Sequence, residues 1–308
     1  MKHLLFIIFI LISSSVICQQ RAHFSQWASH QMAINPAHSG IKKCIDVRGT
    51  TRGQWIGVEG SPISGVLTIS APLKMKRVKY LQARHGISGN VLYDKIGPFS
   101  EYKIQLGYAG HFNFTKDDRL SLGISSGIQQ LNFDLAMARP LDPDPVINGS
   151  ASQIFPTATF GAWFNGKNYY GGLVFYDLIK NKWNTIGKNA ESRVQSVLTG
   201  GYRFRINENL NLLPGIYASY VKSAPIDFQF QTIMDIQSKF NIGLGYRNTD
   251  ALILFLGTSL GQKMKMMYSF DFVLSKLGPS SFYSHELTFV FSPCRGFTAQ
   301  NEGSPLVE

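Results

Sequence analysis

The sequence predicts an all-β fold: a transmembrane antiparallel β-barrel of about 14 strands behind an N-terminal signal peptide. Three observations predict it: a composition rich in glycine and aromatics, period-two alternation along most of the chain, and a short apolar run at the extreme N-terminus. Of 308 residues, 44% are hydrophobic, 13% aromatic and only 16% charged, with 29 Gly, 22 Phe and 13 Tyr. Such a chain is long enough for a sizeable core. It is too aromatic for a disordered one and too poor in helix-favouring residues for a helical bundle. The net charge of +11 raises the question of a nucleic-acid or anionic-membrane partner. The basic residues are dispersed except for Lys74, Lys76, Arg77, Lys79 and Arg84. No helix-turn-helix, zinc-finger or RNA-binding pattern surrounds that cluster, so no nucleic acid is expected and the charge is read as membrane-related.

Residues 1–18 read as the signal peptide. Lys2 and His3 precede an apolar run from Leu4 to Ile12, and Ser13, Ser14 and Ser15 follow it. Cleavage is expected after Cys18; Ile17 is not the small residue that normally precedes an acylated cysteine. No later stretch approaches the roughly 20 apolar residues of a membrane helix. Residues 19–43 form an N-terminal segment, periplasmic or luminal, before a barrel over residues 44–292 and a tail over 293–308.

Strands are expected at about 45–56, 63–72, 84–94, 101–112, 119–130, 154–164, 168–178, 193–205, 209–221, 226–236, 239–248, 250–260, 265–275 and 282–292. The fourth shows the principle: Tyr102, Ile104, Leu106, Tyr108 and Phe112 share one parity, and Glu101, Lys103, Gln105 and His111 the other. Later strands repeat it. Phe240, Ile242, Leu244 and Tyr246 interleave with Lys239, Asn241, Gly243 and Arg247, and Leu287, Phe289 and Phe291 with Glu286, Thr288 and Ser292. Most of these segments have about the 9 to 11 residues that a tilted spanning strand needs. Three further features favour a membrane barrel over a soluble sandwich. The polar parity suits a watery lumen, aromatics gather near strand ends, and connections alternate between long ones such as 131–153 and short ones such as 165–167. Lipid offers backbone amides no partner, so the sheet must close. Closure sets the first strand beside the last, which places Cys44 and Cys294 at one periplasmic seam; a Cys44–Cys294 disulfide is expected there.

Ahead of the barrel stand Phe24-Ser25-Gln26 and Asn35-Pro36-Ala37, with Gly40 beyond; Arg52-Gly53-Gln54-Trp55 and Gly60-Ser61-Pro62 follow. This series of landmarks resembles the PorP/SprF family of the Bacteroidetes type IX secretion system. The motif match covers about residues 22–72. The resemblance implies a bacterial outer-membrane barrel that acts in export or surface attachment of cargo carrying a type IX C-terminal signal, and in some relatives in gliding motility. It implies as partners the periplasmic ring lipoproteins of the PorK and PorN kind and a peptidoglycan-binding protein, besides outer-membrane lipid. Phe24, Gln26, Asn35, Pro36, Arg52, Gln54, Trp55 and Pro62 are the expected partner or cargo contacts. One departure is the tail beyond Phe291, since barrels of this kind often end on the aromatic of the last strand.

Catalytic chemistry is not expected, nor a cofactor or metal. His23, His30 and His38 have no cysteine or carboxylate pattern and no zinc spacing around them. His111 and His285 are the histidines nominated for a barrel hydrolase, and for His285 a position at the rim explains its placement equally well. The alternative function is a diffusion channel or transporter for small or apolar solutes.

Overall fold

Alternating side chains become the two faces of one closed sheet. The computed structural model describes residues 22–73, 83–115, 117–134, 151–183, 191–222, 224–248, 250–274 and 283–293. The leader, most of the 73–83 connection and the tail from Cys294 onward lie outside the described residues.

The strands are β1 (Asp46–Gly53), β2 (Ile63–Pro72), β3 (Arg84–Ile96), β4 (Phe99–Asn113), β5 (Arg119–Phe133), β6 (Ala151–Asn165) and β7 (Tyr169–Tyr176). Next come β8 (Gln195–Tyr202, resumed as Phe204–Asn207), β9 (Leu210–Val221), β10 (Asp227–Ile236), β11 (Phe240–Arg247), β12 (Ala251–Leu260), β13 (Met264–Val273) and β14 (Tyr283–Phe291). Each pairs antiparallel with its neighbours in chain order, and β1 pairs with β14, from Val47 opposite Phe291 to Gly53 opposite His285. The result is a closed barrel of 14 strands.

Two details depart from the expected pattern. The eighth strand is interrupted at Arg203, although its N–H still donates to the Asn168 carbonyl at the start of β7 at 2.7 Å. The break falls beside Pro214 of β9, which brings no N–H to a ladder. Strands β3 to β6 are longer than expected, 13 to 15 residues. The β3–β4 hairpin shows how: Ile96 still faces Phe99 across a Gly97-Pro98 turn, with Gly97 at φ +54.

Apolar residues lie outside. Leu106 is 73% and Leu244 69% exposed, and Ile104, Ile124, Ile128 and Leu198 stand on the same outer face. The opposite parity, including Thr68, Ser88, Lys103, Gln105, Thr159, Gln231 and Asn241, is buried. An outer apolar surface with a polar interior is stable only where hydrocarbon surrounds the barrel. The interior is not the watery hollow the alternation suggested, because residues 22–43 occupy it.

The rim that carries the start of β1 and the end of β14 is called here the near rim, and the opposite one the far rim. Cys44 is at the near rim and is disulfide-bonded. Its Sγ lies 3.2 Å from Ser292 Oγ, two residues short of Cys294, which is itself outside the described residues. Peptide mass spectrometry under non-reducing conditions is expected to recover a Cys44–Cys294 cross-linked pair; two alkylatable thiols in the native protein would rule it out.

Candidate functional site

The luminal segment has almost no regular structure of its own. It contains one helical turn (Gln31–Ile34) and one 3-10 turn (Pro36–His38), so most of its backbone and side-chain polar groups must find partners on the wall.

At the far rim the wall holds Phe24-Ser25-Gln26 in a network of charges. Glu286 of β14 accepts the backbone N–H groups of Ser25 at 2.7 Å and Gln26 at 2.8 Å. Asp271 of β13 accepts the Ser25 hydroxyl at 2.7 Å. Arg52 of β1 donates to Asp271 at 2.8 Å, to Glu286 at 3.0 Å and to Ser25 Oγ. Arg247 of β11 reaches Ser25 Oγ at 2.6 Å and Asp271 at 3.2 Å. Gln229 of β10 donates to the Ser25 carbonyl at 2.8 Å, and the Gln26 amide donates to the Glu286 carbonyl at 3.0 Å. Arg52 and Glu286 are register partners across the closing seam, and both are almost fully buried. Two cations and two carboxylates at this depth compensate one another; removing one partner of such a pair typically costs about 3 to 5 kcal/mol.

Deeper in the lumen, Trp27 is the apolar anchor. It belongs to a cluster with Val174, Val197, Ile233, Phe255 and Met267, and its ring sits 3.0 Å from where a Cβ on Gly215 would stand. His30 bridges two strands through Thr50 Oγ1 at 2.7 Å and Thr68 Oγ1 at 2.8 Å. Arg48 donates to the Ser29 carbonyl, and its Nε pairs with Asp46 at 2.7 Å.

Toward the near rim the segment turns at Asn35-Pro36-Ala37. Asn35 Oδ1 accepts the Ala37 N–H at 2.9 Å, an Asx cap, and its Nδ2 donates to the Ala162 carbonyl at 3.0 Å. The turn fits because the wall beneath it is glycine. A Cβ on Gly123 would lie 2.4 Å from Ala37 N, and one on Gly161 2.0 Å from Asn35 Oδ1. Ser39 then bonds Ser88 at 2.8 Å, and His111 Nε2 donates to the Ser39 carbonyl at 2.9 Å. Because a carbonyl only accepts, His111 Nδ1 is left to accept from the Ser121 hydroxyl at 2.8 Å. Lys42 closes the series on Asp46 at 3.1 Å. Gaps of about 40 Å³ beside His23, Phe24, Trp27 and Tyr217, and about 10 Å³ beside Met32, Pro36 and Gln105, remain between segment and wall. Such spaces suit a few water molecules.

The landmark residues of the sequence are thus distributed over the length of this packing. The family model described as type IX secretion system membrane protein PorP/SprF matches residues 16–291. The chain belongs to the PorP/SprF family. This PorP/SprF protein is therefore a multi-pass outer-membrane barrel of a type IX secretion-system family. No curated protein matches its sequence significantly. Among solved structures it is similar in fold to the CymD monoaromatic hydrocarbon channel, with 9% identity, 86% of this chain and 91% of that chain covered, and a TM-score of 0.50. It also resembles the toluene transporter TbuX of Ralstonia pickettii (10% identity; 86% and 92% covered; TM-score 0.48). A third likeness is to the outer membrane protein Omp33 of Acinetobacter baumannii (10%; 82% and 100%; 0.46). At these identities the likeness is one of barrel fold.

The PorP/SprF landmarks do not converge on one surface. Gln26 and Arg52 meet at the far-rim network and Phe24 lines the gap beside Trp27 and Tyr217, whereas Asn35 and Pro36 are buried against β5 and β6. Gln54, Trp55 and Pro62 lie in the β1–β2 turn at the far rim, where Gln54 N–H donates to the Pro62 carbonyl at 2.9 Å and Trp55 N–H to Ser284 Oγ at 3.2 Å. Trp55 holds φ +50, and Gly57 and Gly60 also take positive φ in this turn. Asp271, Glu286, Arg247 and Gln229 carry the far-rim network yet carry no motif in the sequence. The available signal was charge on the polar parity of otherwise aromatic strands. His285 is hydrogen-bonded to the Tyr268 hydroxyl at 2.6 Å and packs edge-on to Phe270.

Proposed function

We propose that this protein is a non-enzymatic component of the type IX secretion system that acts in export or surface attachment of cargo proteins bearing the type IX C-terminal signal. The observation that carries the reading is the family match over residues 16–291, which takes in the Phe24-Ser25-Gln26, Asn35-Pro36-Ala37 and Arg52-Gly53-Gln54-Trp55 landmarks. Periplasmic ring lipoproteins of the PorK and PorN kind and a peptidoglycan-binding protein are its proposed partners. A filled lumen also fits a role in holding cargo or partners better than free diffusion of solutes. Of the landmark residues, Gln54, Trp55 and Pro62 belong to the β1–β2 turn outside the plugged lumen, and they are the proposed contacts there.

Deletion of the gene, with comparison of the secreted and surface-bound protein fractions, tests the proposal. Cargo with the type IX signal is expected to be lost from the surface or to accumulate in the periplasm. Unchanged fractions in the deletion strain would refute it.

A further inference from the structure

Peptide binding by the barrel wall is visible at the far rim. Glu286 takes two consecutive backbone N–H groups, Gln229 donates to the backbone carbonyl between them, and Arg52 and Arg247 converge with Asp271 on a single hydroxyl. These contacts read an extended backbone and one small hydroxyl side chain. Most of them would serve any peptide of that chemistry. The occupant is the chain's own Ser25-Gln26.

Two further observations bear on whether this occupancy is permanent. Beside the apolar cluster around Trp27, the wall along which the segment lies carries Thr50, Thr68, Ser88, Gln105, Ser121, Thr159 and Gln231, so that part of it can be wetted when the segment leaves. The segment's two ends are also held differently. Its near-rim end continues covalently into β1 beside a disulfide-bonded Cys44, and among the described residues its far-rim end is held by hydrogen bonds, charge and the stacking of His23 on Tyr217.

We propose that Glu286, Asp271, Arg52, Arg247 and Gln229 form a peptide-binding clamp at the far mouth, and that residues 22–43 are a releasable plug fastened there. Release of Ser25-Gln26 loosens the plug from its far end and opens a passage lined in part by polar side chains. The inference stands on the geometry and holds whatever cargo the protein serves.

The test uses the full-length purified protein carrying Ala28→Cys as a reporter, a position that is buried while the plug is seated. Ser25→Pro removes both the N–H that Glu286 accepts and the hydroxyl that Asp271 accepts, without touching the wall. Maleimide labelling of the reporter is expected to quicken at least tenfold in Ser25→Pro, and conductance steps absent from the parent are expected in planar bilayers. Glu286→Gln is expected to act in the same direction from the wall side. Heat-modifiable migration on gels shows that each variant retains a folded barrel. If folded Ser25→Pro labels at the parental rate and stays non-conducting, the clamp does not fasten the plug and the proposal is overturned. Should Glu286→Gln fail to fold, Ser25→Pro alone decides.

Discussion

Leu244→Arg is expected to destabilise the barrel by about 2 to 4 kcal/mol, read as a shift in its denaturant midpoint when folded into phospholipid vesicles. Leu244 lies mid-strand in β11, 69% exposed on the outer face, so the guanidinium would be placed in hydrocarbon. The outer face has a second property that separates this mechanism from ordinary packing. A lipid-facing side chain has no rigid protein neighbour to clash with, so Leu244→Phe is expected to stay within about 1 kcal/mol of the parent. A Phe variant that loses as much as the Arg variant would show that Leu244 packs against protein and that the two faces have been exchanged. Ile104→Arg in β4, on the same outer parity, is expected to follow Leu244→Arg.

Inside the barrel the rule reverses, and size becomes the sensitive variable. Gly123→Ala places a methyl group 2.4 Å from Ala37 N, and the nearest atoms are backbone rather than the tip of a flexible side chain. The Asn35-Pro36-Ala37 turn must lift off β5, at a cost of about 1 to 3 kcal/mol for overpacking. Limited trypsin digestion should then cut at Lys42 or Lys43 at least tenfold faster while the barrel keeps its heat-modifiable migration. Gly171→Ala is the matched control, since a Cβ there meets nothing within 4 Å. Equal cutting rates in the parent and Gly123→Ala would mean that the turn is not seated on the glycine floor.

These contrasts also explain what could be read from the sequence. Strands were legible because one face meets lipid and the other does not. Phe240, Ile242, Leu244 and Tyr246 must therefore alternate with Asn241, Gly243 and Gly245, and β11 lies within a residue of its expected ends. An aqueous lumen would tolerate Gln105→Arg or Asn241→Arg, and the filled lumen does not. Both positions are buried under a filled lumen, so a longer side chain is crowded there.

The luminal segment was illegible for the converse reason. A peptide with no regular structure that is buried against a wall of mixed polarity needs no apolar period, so residues 22–43 read as an irregular stretch between two better-defined ones. Gln26 and Arg52 stood out as family landmarks. That they share Glu286 depends on a contact spanning 260 residues from Gln26 and 234 from Arg52, which no local pattern encodes. Asp271 and Glu286 looked like any other polar-parity residues. The interruption at Arg203 sits beside a visible Pro214, but which neighbouring strand would lose a bond follows only from the assembled sheet.

The pairing of Arg52 with Glu286 across the β1–β14 seam carries one more consequence, for assembly. These strands are the first and last to be made, and a slip of two residues would keep every side chain on its proper face, so alternation alone cannot police their alignment. Such a slip would set Arg52 opposite Ser284 or Thr288 instead and strand the Glu286 carboxylate in the interior without its cation. The arginine thus proofreads the final zipping step. Because Ser25 sits between the same groups, correct alignment and correct enclosure of the N-terminal stretch are verified together.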